Sequence, residues 1–201
     1  MGPVRVVEAE FLLSVADSNW PDDSVPEIAF VGRSNVGKST LLGALCGRRG
    51  LVRVSSTPGR TQLINFFHLE IEDKQRRCVL RFVDLPGFGY AKVAKSERKK
   101  WFARVEKYLA NRATLKACVL LCDGRRGAEI DETELGRFLH AREVMLIPVL
   151  AKADQLSKHE RKPRALELGR ALSARAMIVS ATEREGVTEL WQRIVAVLRS
   201  G

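Results

Sequence analysis

Apolar and polar positions change period along this chain in short blocks, and each block predicts an element. Glu27-Ile28-Ala29-Phe30-Val31 is too short for a helix and apolar after its first residue, so it predicts a buried strand. Ser39 to Leu45 reads as the first turns of a helix ending near Gly47. Leu63 to Ile71 and Cys78 to Asp84 read as two strands, and their short link implies an antiparallel hairpin. A helix is expected from near Ser96, with Trp101, Phe102, Val105, Tyr108 and Leu109 on one face. The chain then alternates: strand Leu115 to Cys122, helix Asp131 to Arg142, strand Val144 to Leu150, helix Ser157 to Ser173, strand Ala176 to Val179. A closing helix carries Val187, Leu190, Trp191, Ile194 and Leu198 on one side. Such alternation predicts a three-layer α/β fold: a mostly parallel six-stranded sheet with one antiparallel strand and helices on both faces. Residues 1–24 read as an extension packed on the edge of a domain spanning 25–201, with Ala9 to Ala16 a short amphipathic helix or strand and Asn19 to Ser24 a turn-rich link.

Between the first strand and first helix lies Gly32-Arg33-Ser34-Asn35-Val36-Gly37-Lys38-Ser39, which fits the phosphate-binding loop pattern in its required context. Its glycines turn backbone N–H groups inward, and the helix N-terminus behind them, with Thr40 in its first turn, favours a polyphosphate. Lys38 is expected to reach the β- and γ-phosphates, and the Ser39 hydroxyl to ligate Mg²⁺. About 45 residues on, Asp84-Leu85-Pro86-Gly87 ends a strand with the form D-x-x-G. Asp84 would hold Mg²⁺ through water, and the Gly87 N–H can approach a γ-phosphate. Past a later strand, Ala151-Lys152-Ala153-Asp154 resembles the guanine-reading N-K-x-D element of GTPases, with Ala151 in place of Asn. Asp154 can accept from guanine N1–H and the exocyclic amine, and the Lys152 stem can cover the base. Ser180-Ala181-Thr182, past the last strand, matches the S-A-x turn that supports the base in GTPases. In Ser55 to Thr61, a threonine could complete the Mg²⁺ shell only when a γ-phosphate is present; Thr61 is the first choice and Thr57 the second.

Composition changes this picture in two ways. The net charge of +10 exceeds what a soluble enzyme needs and points to a polyanionic partner, for which RNA is the most available candidate. The four cysteines form no C-x-x-C pair, and Cys118 and Cys122 fall within an apolar run, as small core residues of a reduced, cytoplasmic protein would. No run approaches a membrane span, and the N-terminus lacks the apolar core of a signal peptide.

The phosphate loop, Thr57-Pro58-Gly59-Arg60-Thr61-Gln62, the tract Asp84 to Val93 and Lys152-Ala153-Asp154 together resemble the EngB (YihA/YsxC) group of bacterial GTPases, in the TrmE-Era-EngA-like class. The likeness runs from about Pro26 to the closing helix. It implies a P-loop NTPase fold of the Ras-like G-domain type, GTP and GDP as ligands, GTP hydrolysis, Mg²⁺ dependence and a role in assembling the large ribosomal subunit, with a link to normal septum formation. Gly59 and Arg60 join the nucleotide-binding residues on this ground. Two departures stand out: Ala151, where the group usually has Thr, and Asp123-Gly124-Arg125-Arg126-Gly127, a segment expected to lie remote from the signature elements.

Phe88 occupies the position where many GTPases place a water-orienting Gln, so slow intrinsic hydrolysis is expected. Related GTPases with Asn at the position of Asn35 use K⁺ beside the phosphates; the alternative is that Asn35 only shapes the turn. Lys38, Asn35, Thr61 and Gly87 are thus the expected catalytic set, and Ser39, Thr61 and Asp84 the metal set. The segment Lys92 to Arg112, rich in Lys and Arg, is the expected surface for ribosomal RNA, against the alternative of a solvated helix face. One compact domain suggests a monomer. Two other functions stay open: a GTP-binding scaffold with little turnover, and a P-loop small-molecule kinase, although the latter would leave Lys152-Ala153-Asp154 without a task.

Overall fold

A computed structural model of the chain describes residues 4–16, 19–21, 24–48, 63–74, 76–88 and 95–200, with 95–100 as backbone alone. The strands are β1 (Arg5–Val15), β2 (Glu27–Gly32), β3 (Ile64–Asp73), β4 (Arg76–Asp84), β5 (Leu115–Asp123), β6 (Met145–Ala151) and β7 (Met177–Ile178). The helices are α1 (Lys38–Cys46), α2 (Lys95–Asn111), α3 (Ile130–Ala141), α4 (Lys158–Ala171) and α5 (Val187–Ser200). One sheet runs in the order β1-β3-β4-β2-β5-β6-β7. β3 pairs antiparallel with β1 and β4, and every other pairing is parallel, so β3 is the single reversed strand.

The sheet has seven strands against the six expected, because Arg5–Val15 is a strand. Its register on β3 runs from Arg5 opposite Glu72 to Val15 opposite Ile64, shifting between Val6 and Glu8 and between Phe11 and Leu13. Without β1, the apolar β3 would present an open edge of unpaired N–H and C=O groups.

Period-2 alternation divides the core into two faces. Ile28 and Phe30 of β2 join Phe67, Leu69, Phe82, Val119 and Leu121 beneath α1 and α5, where Trp191 stacks on Phe82 with centroids 5.2 Å apart. Ala29 and Val31 join Phe66, Val83, Cys118, Leu120 and Cys122 beneath α2, α3 and α4. Cys118 is core as expected, and burial pushes its thiol up to about 12, so it stays an inert apolar group. On α2, Val105, Tyr108 and Leu109 are buried, while Trp101 and Phe102 are half-buried. At the far end of the sheet Glu27, fully buried, accepts from Tyr108 at 2.8 Å and from Arg112 at 2.5 and 2.7 Å. Arg112 is therefore a structural cation, which removes it from the basic surface assigned to Lys92 to Arg112.

β2 lies between β4 and β5, so the chain leaves its carboxyl end at the point where connections run off in both directions. In open α/β sheets ligands bind in that crevice.

Candidate active site

The loop 32–39 leaves β2 at this crevice. Asn35 has φ +64° and Gly37 φ +103°, left-handed conformations that Asn tolerates and glycine adopts freely. They fold the chain so that α1 begins at Lys38, with Leu41 N–H donating to the Gly37 carbonyl at 2.9 Å. Val36 is buried under the loop, while Ser39 and Thr40 are exposed in the first turn. Two backbone bonds fasten the loop to the D-x-x-G turn: Ser34 N–H to Phe88 O at 2.7 Å and Phe88 N–H to Gly32 O at 3.3 Å. Gly87 is pressed between them. A Cβ there would lie 3.2 Å from Ser34 Oγ and 3.3 Å from Ser34 N and Gly32 O.

Arg33 turns away from the loop. Its guanidinium pairs with Glu129 at 2.7 Å and Glu132 at 2.8 Å, in the capping box of α3, with Asp131 at 3.5 Å. Its side chain locks the loop to α3, which leaves its backbone as the part that faces the loop.

Lys38 Nζ donates to Asp84 Oδ1. The other carboxylate oxygen, Oδ2, accepts from Asn65 Nδ2 at 3.2 Å. Asp84 is 5% exposed. A carboxylate at the end of β4 and the Ser39 hydroxyl at the start of α1 are hard oxygen donors beside a phosphate loop, which fits Mg²⁺ held by few protein ligands and by substrate phosphates. Leu85 is buried behind Asp84, and its N–H donates to Phe30 O at 2.9 Å. Phe88 is 4% exposed and meets Trp101 at 4.9 Å, so its ring is a core group. Trp101 in turn donates its indole N–H to the Pro86 carbonyl at 2.7 Å, tying α2 to the turn.

On the base side, Lys152 has φ +57° and sends Nζ to Asn35 O at 2.7 Å and Asp123 Oδ2 at 3.1 Å. Asp123 is clasped by Arg125 at 2.9 and 2.7 Å, and this guanidinium holds its carboxyl well below the usual range. The expectation that 123–127 lies remote from the signature elements is thus corrected: β5 and β6 pair Asp123 with Ala151, which brings its carboxylate onto the signature lysine. Ala151 is buried, and its carbonyl accepts from Gly124 N–H at 2.9 Å. Asp154 is exposed in a short 3-10 turn, Ala153–Gln155. Buried Ser180 donates its hydroxyl to Asp154 Oδ1 at 2.6 Å and lies 3.0 Å from the Thr182 hydroxyl. The hydrogen bond from Ser180 lowers the Asp154 pKa and keeps the acceptor ionised. Ala181 is half-buried in the same turn.

The structure therefore gathers the loop 32–40, Asp84 to Gly87, Lys152, Asp154 and Ser180 to Thr182 at one end of the sheet. Thr57, Gly59, Arg60, Thr61 and Lys92 lie outside the described residues. Sequence reasoning missed Asn65 and Asp123; the signal for each was a polar residue within or ending an apolar strand.

An exposed, ionised acceptor such as Asp154 matches guanine, which offers two adjacent N–H donors on the edge where adenine offers none. Joined to a phosphate loop, it defines a P-loop GTPase. Residues 27–152 match the family model described as "50S ribosome-binding GTPase". A relative named "Probable GTP-binding protein EngB" from Anaeromyxobacter sp. (strain K) is 44% identical over 201 residues, covering 97% of this chain and 93% of that one. The protein of that name from Geobacter metallireducens is 42% identical over 202 residues, covering 98% and 96%. Among solved structures, a probable GTP-binding protein EngB superposes with TM-score 0.68 at 26% identity, over 87% of this chain and 100% of that one. The FeoB G-domain from Methanococcus jannaschii shares the fold, with TM-score 0.60 at 22% identity. The chain belongs to the EngB family of GTPases.

Proposed function

We propose that this GTPase is a Mg²⁺-dependent switch in assembly of the large ribosomal subunit, acting as a cytoplasmic monomer. The observation that carries the reading is the Trp101 bond to Pro86: it couples a lysine-rich helix to the turn of Gly87, which in this reading faces the γ-phosphate. The description of the matching family and the +10 charge support the same partner. The septation link is read as a consequence of ribosome supply.

In this mechanism the loop N–H groups and Lys38 hold the β- and γ-phosphates, and the Gly87 N–H senses the γ-phosphate. Ser39, Asp84 and Thr61 would hold Mg²⁺, which supplies charge neutralisation between the phosphates when bound. Phe88, buried against Trp101, has no group to orient water, so turnover by the free protein is slow. That burial also favours a second reading, a GTP-binding scaffold with little turnover. Multiple-turnover GTPase assays with and without ribosomal subunits separate the two.

Two outcomes are expected. Replacing both Lys99 and Lys100 with Glu should lower ribosome affinity about tenfold and flatten the salt dependence by about two phosphate contacts, with GTP affinity unchanged. Unaltered co-sedimentation across a salt series would remove α2 from the interface. Asn35 is exposed at the mouth of the loop and, in this reading, helps hold K⁺ beside the phosphates. GTP hydrolysis in KCl should then exceed that in NaCl at equal ionic strength by about tenfold. Equal rates would leave Asn35 a turn former.

A further inference from the structure

Ser14 on β1, Asn65 on β3 and Asp84 on β4 are successive register partners: Ser14 opposite Asn65, and Asn65 opposite Asp84. Directly paired residues point to the same face of a sheet. The three side chains therefore form a polar row across the carboxyl end of β4, on the face that carries α1 and the phosphate loop. The row is hydrogen-bonded throughout. Ser14 Oγ lies 2.5 Å from Asn65 Oδ1, Asn65 Nδ2 lies 3.2 Å from Asp84 Oδ2, and Lys38 meets Asp84 Oδ1.

The anion fixes every direction in this chain. A carboxylate only accepts, so the Asn65 amide must turn its N–H to Asp84 and its carbonyl oxygen to β1. Ser14 must then donate. Asn65 is 2% exposed, within the apolar run Ile64-Asn65-Phe66-Phe67, where a polar side chain costs stability unless it is bonded. Asp84 has one oxygen on a lysine that the phosphates also attract. Asn65 holds the other oxygen with a neutral amide, for which an anionic phosphate competes far less than for the lysine.

We infer that Asn65 is a positioning residue for the Asp84 carboxylate, and so for the divalent cation, and that Ser14 of the N-terminal strand orients the amide. The inference rests on the Mg²⁺ reading of Asp84 given above. It gives β1 a task beyond covering the edge of β3: the strand sets the metal site from the outside of the sheet.

The test follows dissociation of a fluorescent GDP analogue from the full chain while MgCl₂ is titrated against EDTA. Asn65→Ala is expected to raise the Mg²⁺ concentration for half-maximal retention by about ten- to a hundredfold, the range for outer-shell partners of metal ligands. Its dissociation rate in EDTA should match the wild type, which a general loss of structure would not allow. Ser14→Ala, on the outermost strand, should shift the same midpoint by about threefold. If thermal melting shows that Asn65→Ala does not fold, Ser14→Ala decides alone. Unmoved midpoints, in a wild type that responds to Mg²⁺, overturn the inference. A wild type indifferent to Mg²⁺ overturns the metal reading first, and the inference with it.

Discussion

Lys38→Met is expected to lower kcat/KM for GTP by about a thousandfold, the upper range for losing one preorganised charge-stabilising donor. A second, separate loss should accompany it. Lys38 is paired with Asp84, and both side chains are largely buried, 12% and 6% exposed. Met matches the length of the lysine stem but leaves the carboxylate with Asn65 as its one described partner. Removing one member of a buried pair costs about 3–5 kcal/mol, because the remaining charge stays desolvated. The nucleotide-free variant should therefore unfold at clearly lower urea. The double variant Lys38→Met with Asp84→Asn removes the stranded charge, and most of the stability should return. Hydrolysis should not, since the neutral pair has lost both the phosphate cation and the metal carboxylate of the proposed mechanism. Urea unfolding and steady-state GTPase assays on the two variants check this. A single variant as stable as wild type, or a double variant that hydrolyses GTP, would contradict the assignment.

Asp154→Asn should weaken GTP binding by about a thousandfold and transfer preference to xanthosine triphosphate. A site built to hydrogen-bond a substrate group strongly rejects an analogue that leaves its buried partners unmatched. Ser180 fixes one oxygen of Asp154 at 2.6 Å, which leaves the other for the base edge. An amide in the same pose turns N–H towards the guanine amine, donor against donor. Xanthine carries a carbonyl there, so the same N–H finds an acceptor. The dependence on Asp154 should be steep in this chain, because Ala151 has no polar side chain to brace the purine. Calorimetric titration with GTP, xanthosine triphosphate and ATP reads the outcome. Retained GTP affinity would mean that Asp154 does not read the base.

What could be read from the sequence was what local spacing controls. The strand Glu27 to Val31, the loop and the helix after it are one continuous stretch, and their chemistry is stated by residue order. The β3–β4 hairpin and the short strand-end motifs at Asp84, Lys152 and Ser180 were legible for the same reason. β1 was ambiguous because two register shifts break its alternation, so the pattern fitted neither period cleanly. Asn65 looked like a polar interruption in an apolar strand. Its partner Ser14 lies 51 residues away and is set by strand pairing. Arg112 is one more basic residue in the sequence, and its commitment to Glu27, 85 positions earlier, is set by the fold. Asp123 is remote from Lys152 along the chain, but parallel pairing of β5 with β6 carries it there. Charge can be counted from sequence; which charges are already committed depends on contacts between distant segments.

In the function proposed above, GTP gates contact with the large ribosomal subunit. Co-sedimentation with purified 50S particles tests it most directly, in potassium buffer across a salt series, with GDP and with a non-hydrolysable GTP analogue. Binding is expected with the analogue, lost with GDP, and weakening steeply as salt rises. Equal binding with both nucleotides, or none with either at moderate salt, would contradict it.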